Sequence, residues 1–406
     1  MTKLLVRDLA QVVSPAGAGA PLRGPEEMSA VEVVEHGYVL CEDGLVSAVG
    51  RMSDLGGVEG EAEEVDGRGR AAIPGLVDCH THACFAGDRV DEFSRRAAGA
   101  TYEELHAAGG GIISTVRATR AAGEDGLAEA LDEHRAWMLA AGTTTFEAKS
   151  GYGLDRDTEL AQLRVVREAG GVPTWLGAHA VPPEFDDADA YLDFALGEVL
   201  PEAAELAEAA DVFLERGAFD AAQARRYLQA ARAAGLALRL HADQFTEGGG
   251  IPLAIELGAR SVDHLEATGA EGVATLAHSD VAAVLLPIAA LFLGRPVPPG
   301  RALLEAGAIV ALATDFNPGS AFCESLAVAM TLACTQLGLG PEAALTASTV
   351  NAAYVLGRAD RVGRIAPGYS ADVVLLETTD WRDLAYHFGG DLVSCVVKDG
   401  AVAWAR

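Results

Sequence analysis

Residues 71–85 read AAIPGLVDCHTHACF: an apolar run that ends in His80-Thr81-His82. A run of this length and composition predicts a buried β-strand, and successive side chains on a strand point to opposite faces. His80 and His82 therefore face the same way and can ligate one ion from a strand end. An isolated His-x-His pair carries little information, so its place in the wider pattern decides its meaning.

Working outward, residues 72–357 alternate short apolar segments, polar or glycine-containing loops and amphipathic helices, the pattern of parallel strands in an α/β fold. Eight strands are predicted: 73–79, 143–148, 173–178, 211–214, 237–240, 261–264, 281–286 and 309–313. Eight is the number that closes a (β/α)8 TIM-like barrel. Asp155 or Asp157 opens a helix running to Gly170, and Asp220 opens one running to Gly235. The flanks differ, because VEVVEHGYVLCEDGLVSAVG (31–50), ADVVLLETTD (371–380) and LVSCVVKDGAVAW (392–404) are β-rich with Asp-Gly turns. A small β-sandwich domain formed from both chain ends, 1–71 and 358–406, is predicted beside the 72–357 barrel.

Composition narrows the function classes. The 30 basic and 59 acidic residues give a net charge of −29, which repels phosphate backbones and anionic lipid surfaces. No nucleic-acid partner is expected, whereas a small anion remains possible where local cations or a metal reverse the potential. No stretch reaches the roughly 20 apolar residues of a membrane span, and the start lacks the marks of a secretory signal, so a cytoplasmic location is expected. Cys41, Cys79, Cys84, Cys323, Cys334 and Cys395 are scattered without disulfide or zinc-clasp spacing and read as reduced core residues.

His179, His241, His264 and Asp315 each end a predicted strand, as His80 and His82 do. Barrel strand ends converge on one rim, so these residues become neighbours there, an arrangement that unconnected core histidines have no reason to adopt. His36, His106, His134, His278 and His387 lack this placement and are given no metal role.

The strand-end HTH, the later histidine, the DHLE segment and the terminal Thr-Asp resemble the amidohydrolase superfamily. GGGIISTVRATR (109–120), EAKSGYGL (147–154), HADQF (241–245), SVDHLE (261–266) and ATDFNPGS (313–320) narrow the match. In this order they resemble the imidazolonepropionase family over essentially the whole chain. The resemblance implies hydrolytic ring opening of 4-imidazolone-5-propanoate to N-formimidoyl-L-glutamate in histidine degradation, and a homodimer. It also implies one Zn²⁺ or Fe ion per chain, held by His80, His82, His241 and Asp315. His264 would then orient the attacking water or polarise the carbonyl, and Asp315 could shuttle a proton. Arg89 would clamp the propionate, with Tyr152, His179, Asn317, Gly319 and Ser320 also at the ligand. The backbone N–H groups of the NPGS turn are candidate anion donors. Related deaminases carry a glutamate three positions after the strand-five histidine, where this chain has Gln244. A neutral amide orients a substrate but transfers no proton. Lys149 occupies the wrong strand to bridge two metals, so a single ion is expected. The competing readings are a heterocycle deaminase on the same barrel and a non-catalytic scaffold. Gln244 and Arg89 oppose the first, and the complete ligand set opposes the second.

Overall fold

The computed structural model describes residues 3–17, 19–58, 60–99 and 110–406. Five strands come first: β1 (Lys3–Pro15), β2 (Val31–Glu42), β3 (Leu45–Arg51), β4 (Glu63–Asp66) and β5 (Ala71–Pro74). The next eight are β6 (Leu76–Asp78), β7 (Thr143–Lys149), β8 (Val172–Ala178), β9 (Ala209–Leu214), β10 (Ala237–Ala242), β11 (Ser261–His264), β12 (Ala282–Leu285) and β13 (Ile309–Leu312). The chain ends with β14 (Val373–Leu376), β15 (Val393–Lys398) and β16 (Ala401–Ala405).

β6 to β13 lie side by side in chain order, each parallel to the next. The ring closes just beyond the strand ends. There Thr81 bridges Phe316, the His82 N–H donates to the Phe316 carbonyl at 2.9 Å, and the Asp315 N–H donates to the His80 carbonyl at 3.0 Å. Asp78 adds to this seam by accepting from the Thr314 hydroxyl at 2.6 Å. The segments that close the barrel are thus the ones that carry His80, His82 and Asp315.

One predicted strand, 73–79, proves to be two. β5 pairs with β1 and β14 in the terminal sheet, whereas β6 pairs with β7 in the barrel. Gly75 makes the switch possible, since a Cβ there would fall 2.1 Å from the Thr144 hydroxyl. Hydrophobicity alone cannot show this break, because both halves are buried.

The two chain ends meet in one mixed sheet, ordered β16-β15-β14-β5-β1-β2-β3 with β4 beside β1. The Asp-Gly pairs form its two-residue turns: Asp43-Gly44 joins β2 to β3 and Asp399-Gly400 joins β15 to β16. All four residues have positive φ, the conformation that a type I′ turn demands. Leu4, Val6, Val39, Val373, Leu375 and Val397 belong to a small core of this sheet, separate from the main core of barrel and helices.

The helix starts follow their caps. Asp155, rather than Asp157, caps the helix Arg156–Glu168 by accepting from the Thr158 N–H, and Asp220 forms a capping box with Gln223 on the helix Ala221–Ala233. All six cysteines are free. Among the described residues no helix is long and apolar enough to cross a membrane.

Candidate metal centre and active site

The parallel ring delivers His80 and His82 just past β6, His179 past β8, His241 on β10, His264 at the end of β11 and Asp315 past β13 to one rim. All six are buried. Asp315 Oδ1 lies 3.6 Å from His80 Nε2 and 3.4 Å from His82 Nε2, and His82 Nε2 lies 3.3 Å from His241 Nε2. Donors held about 2.0–2.1 Å from a tetrahedral ion are separated by roughly 3.4 Å, so these spacings fit a transition-metal site. His80 Nε2 is buried without a hydrogen-bond partner, an unmet lone pair of the kind an ion satisfies.

The outer nitrogens are occupied. His80 Nδ1 meets Asp263 at 2.5 Å and His241 Nδ1 meets Asp211 at 3.0 Å, which sets the proton on Nδ1 and leaves Nε2 free to ligate. Burial pushes His241 down to about 3 against the opposing pull of Asp211, which keeps the ring neutral as a ligand must be. Burial alone would raise Asp315, but the neighbouring rings of His80, His82 and His264 hold it well below the usual carboxylate range.

Beneath the histidines sits a buried ionic cluster. Lys149 Nζ contacts Glu147 at 2.7 Å and Asp211 at 2.9 Å, while Arg239 reaches Glu147 at 3.1 Å, Asp263 at 3.5 Å and the Cys79 carbonyl. The two cations neutralise the carboxylates that orient His80 and His241. Lys149 is thereby committed to ion pairs inside the barrel.

His264 stands beside this set, with its ring centroid 5.3 Å from that of His241 and 5.7 Å from that of His80. Its Nδ1 faces Glu266 at 3.4 Å. Burial works against its charge, but Glu266 and then Asp315 outweigh burial and raise its pKa. His264 and Leu265 both have positive φ, a strained turn that aims the imidazole.

His179 stacks on His82 with centroids 5.3 Å apart, and its Nδ1 contacts the Gly151 carbonyl at 2.9 Å. Tyr152 packs against both rings at 5.8 and 5.2 Å. The loop that carries Tyr152 is held by Glu159, whose buried carboxylate accepts the N–H groups of Gly151, Gly153 and Leu154, each at 2.9 Å. Gln244 is buried on the turn after β10, and Glu215 pins that turn by accepting the N–H groups of Phe245 and Thr246 at 2.8 and 3.1 Å.

Arg89 donates through Nε to Thr115 at 2.8 Å, while its Nη2 is buried with no partner. Its Nη1 lies only 2.1 Å from where a Cβ on Gly319 would be, so the absence of a side chain at 319 makes room for the guanidinium. The NPGS turn departs from expectation. Asn317 Oδ1 accepts the N–H groups of both Gly319 and Ser320 at 2.8 Å, and Asn317 Nδ2 donates to the Asp315 carbonyl at 2.6 Å. Those N–H groups are spent within the turn rather than offered to an anion, because an Asn side chain two residues upstream is a better-placed acceptor. Ser320 Oγ lies 3.3 Å from Asp315 Oδ2.

A model of the amidohydrolase family matches residues 71–403. The imidazolonepropionase of Rubrobacter xylanophilus is 59% identical over 99% of this chain and 98% of its own length. The chain belongs to the imidazolonepropionase family of amidohydrolases. The imidazolonepropionases of Chloroflexus aggregans and Geobacillus kaustophilus are 46% and 42% identical, each over 98% or more of both chains. In fold, this amidohydrolase is similar to an adenosine deaminase from Xanthomonas campestris (TM-score 0.72, 20% identity, covering 100% of this chain and 93% of that one). It is also similar to the guanine deaminase of E. coli (TM-score 0.71, 16% identity, 100% of both chains).

Several residues of the amidohydrolase site escape a search for strand-end histidines: Asp211, Asp263, Glu147, Arg239, Glu159, Glu215 and Glu266. A signal exists for some. Glu147 and Lys149, like Arg239 and His241, are charged or polar residues two apart on a strand, so both point into the barrel. Glu159 gives no such signal, since its helix buries it against a loop whose N–H groups are unpaired only in three dimensions. Of the excluded histidines, His134 contacts the Ala83 carbonyl at 2.8 Å and stacks on Phe85, away from the donor set. His106 and Gly109 lie outside the described residues.

Proposed function

We propose that this chain hydrolyses 4-imidazolone-5-propanoate to N-formimidoyl-L-glutamate, as a metal-dependent cytoplasmic enzyme of histidine degradation. The observation that carries the reading is the pairing of two unmet groups at one barrel mouth: the convergent Nε2 and Oδ1 donors, and the partnerless Nη2 of Arg89. The first set suits a hydrolytic ion and the second suits a substrate carboxylate.

His80, His82, His241 and Asp315 would hold a single Zn²⁺ or Fe ion, which when bound supplies hydroxide at neutral pH and polarises a carbonyl. The protein residues supply the rest. Arg89 grips the propionate with its planar fork, and Tyr152 and the buried, uncharged His179 wall the ring. Gln244 hydrogen-bonds the amidine without exchanging a proton. His264, its charge supported by Glu266, donates toward the oxygen that becomes anionic as hydroxide adds to the ring carbonyl carbon. The ring C–N bond then breaks, the departing nitrogen takes up a proton, and His264 and Asp315 are the groups placed to exchange it. Asn317 and Ser320 act by fixing the turn that holds Asp315 and Arg89. The active species is proposed to be a homodimer.

Loss of ring absorbance on mixing purified protein with imidazolone propionate tests the activity directly, and no turnover by metal-replete protein would refute it. Metal analysis should find about one equivalent of Zn or Fe per chain; two equivalents would replace the mononuclear assignment with a binuclear one.

Arg89→Ala should raise KM by about tenfold or more while changing kcat less, the signature of a group that binds ground and transition states alike. Arg89→Lys should restore binding only in part, because ammonium lacks the fork. Gly319→Ala should reproduce part of the KM defect, since its methyl takes the space of Nη1. An unchanged KM in Arg89→Ala would move the carboxylate site elsewhere.

A further inference from the structure

The floor of the barrel, at the end opposite the histidines, holds a cavity of about 210 Å³. The starts of β8, β9 and β10 form its wall, and residues 355–361, which lead out of the helix Val350–Val355, close it. Arg239, Arg260, Arg358 and Arg361 line it, in a chain of net charge −29.

The four cations are not equally committed. Arg239 spends its donors inside the barrel on Glu147, Asp263 and the Cys79 carbonyl. Arg358 grips Glu208 with two bonds of 2.9 and 2.6 Å, which cancels the carboxylate that lines the cavity. Among the described residues, the guanidinium groups of Arg260 and Arg361 have neither a hydrogen bond nor an ion pair. Arg260 lies over Gly357, with Nη2 3.7 Å from where a Cβ would be, so it is directed at the closing segment. Two guanidinium groups without a counter-charge meet at one concave surface, and an oxyanion satisfies both.

We propose that this cavity binds a small oxyanion, phosphate or carboxylate, through Arg260 and Arg361. Its volume corresponds to roughly seven water-sized groups, enough for a hydrated phosphate or a short dicarboxylate. The site is separate from the substrate pocket, which lies at the C-terminal ends of the strands, and it does not depend on the reaction assigned above.

Titration calorimetry of the metal-replete enzyme with inorganic phosphate, and separately with succinate, at ionic strength held constant with chloride, tests this. Saturable millimolar binding of one anion per chain is expected, and the tighter of the two names the source. The double variant Arg260→Ala/Arg361→Ala should bind that anion at least about tenfold more weakly, since hydrogen bonds to charged groups are the strong ones. It should keep kcat and KM within about twofold, because both side chains are exposed and remote from the rim. Arg89→Ala should leave anion binding intact. Absence of saturable binding overturns the proposal. So does binding that survives the double substitution, and so does binding that disappears with Arg89→Ala, which would place the anion in the substrate pocket.

Discussion

His241→Ala is expected to purify without its metal and to lose at least about a thousandfold in kcat, whereas His264→Ala should keep the metal and lose roughly a hundredfold. The two rings have different partners. His241 Nε2 faces His82 Nε2 at 3.3 Å and its Nδ1 is fixed by Asp211, so removing the ring deletes a donor from the convergent set. His264 is oriented instead by Glu266, and its pKa is displaced upward where that of His241 is displaced downward. A neutral ring suits ligation and a chargeable one suits stabilisation of an oxyanion. Metal content and steady-state kinetics of the two variants, measured side by side, decide the matter. Equal metal loss in both would place His264 in the coordination sphere, a position its proximity to His80 and His241 permits.

The second large effect concerns stability. Arg239→Met should destabilise the metal-free protein by about 3–5 kcal/mol, the scale for breaking a buried ion pair from one side. Arg239 is 1% exposed and faces Glu147 and Asp263, and its loss leaves Lys149 as the remaining cation of the cluster against Glu147, Asp211 and Asp263. Surface pairs such as Arg225 with Glu256 supply the contrast, since removing an exposed partner should cost no more than about 1 kcal/mol. Urea unfolding midpoints of Arg239→Met and Arg225→Met measure both, and equal midpoints would show that the barrel interior hydrates its charges after all. Arg239→Met should also weaken metal binding, because Asp263 holds the His80 ring by Nδ1 and would lose its own counter-charge.

The barrel and the ligand rim were legible in the sequence for one physical reason. A strand's alternation and a barrel's convergence are local rules with a global consequence, so a histidine at a strand end implies its place at the mouth. His80, His82, His241, His264 and Asp315 could be gathered in this way before any contact was known. Asp-Gly pairs likewise specify their turns at 43–44 and 399–400 through φ alone. What failed was whatever depends on a partner far along the chain. The run at 71–79 could not declare that its halves belong to two sheets, because the reason is the close approach of Thr144 to Gly75. The N–H groups of Gly319 and Ser320 read as free until the rotamer of Asn317 claimed them.

By itself, then, the order of residues determined the fold class and the rim, since these follow from periodicity and from the identity of donors at strand ends, while the type of chemistry came from the resemblance of its motifs to the amidohydrolases. Tertiary structure alone decided which carboxylate orients which histidine, how Lys149 and Arg239 neutralise them, and where Arg89 finds room beside Gly319. Those outcomes turn on distances of a few ångströms between residues up to 230 positions apart, as with Arg89 and Gly319, and short-range forces between such residues have no counterpart in local sequence pattern.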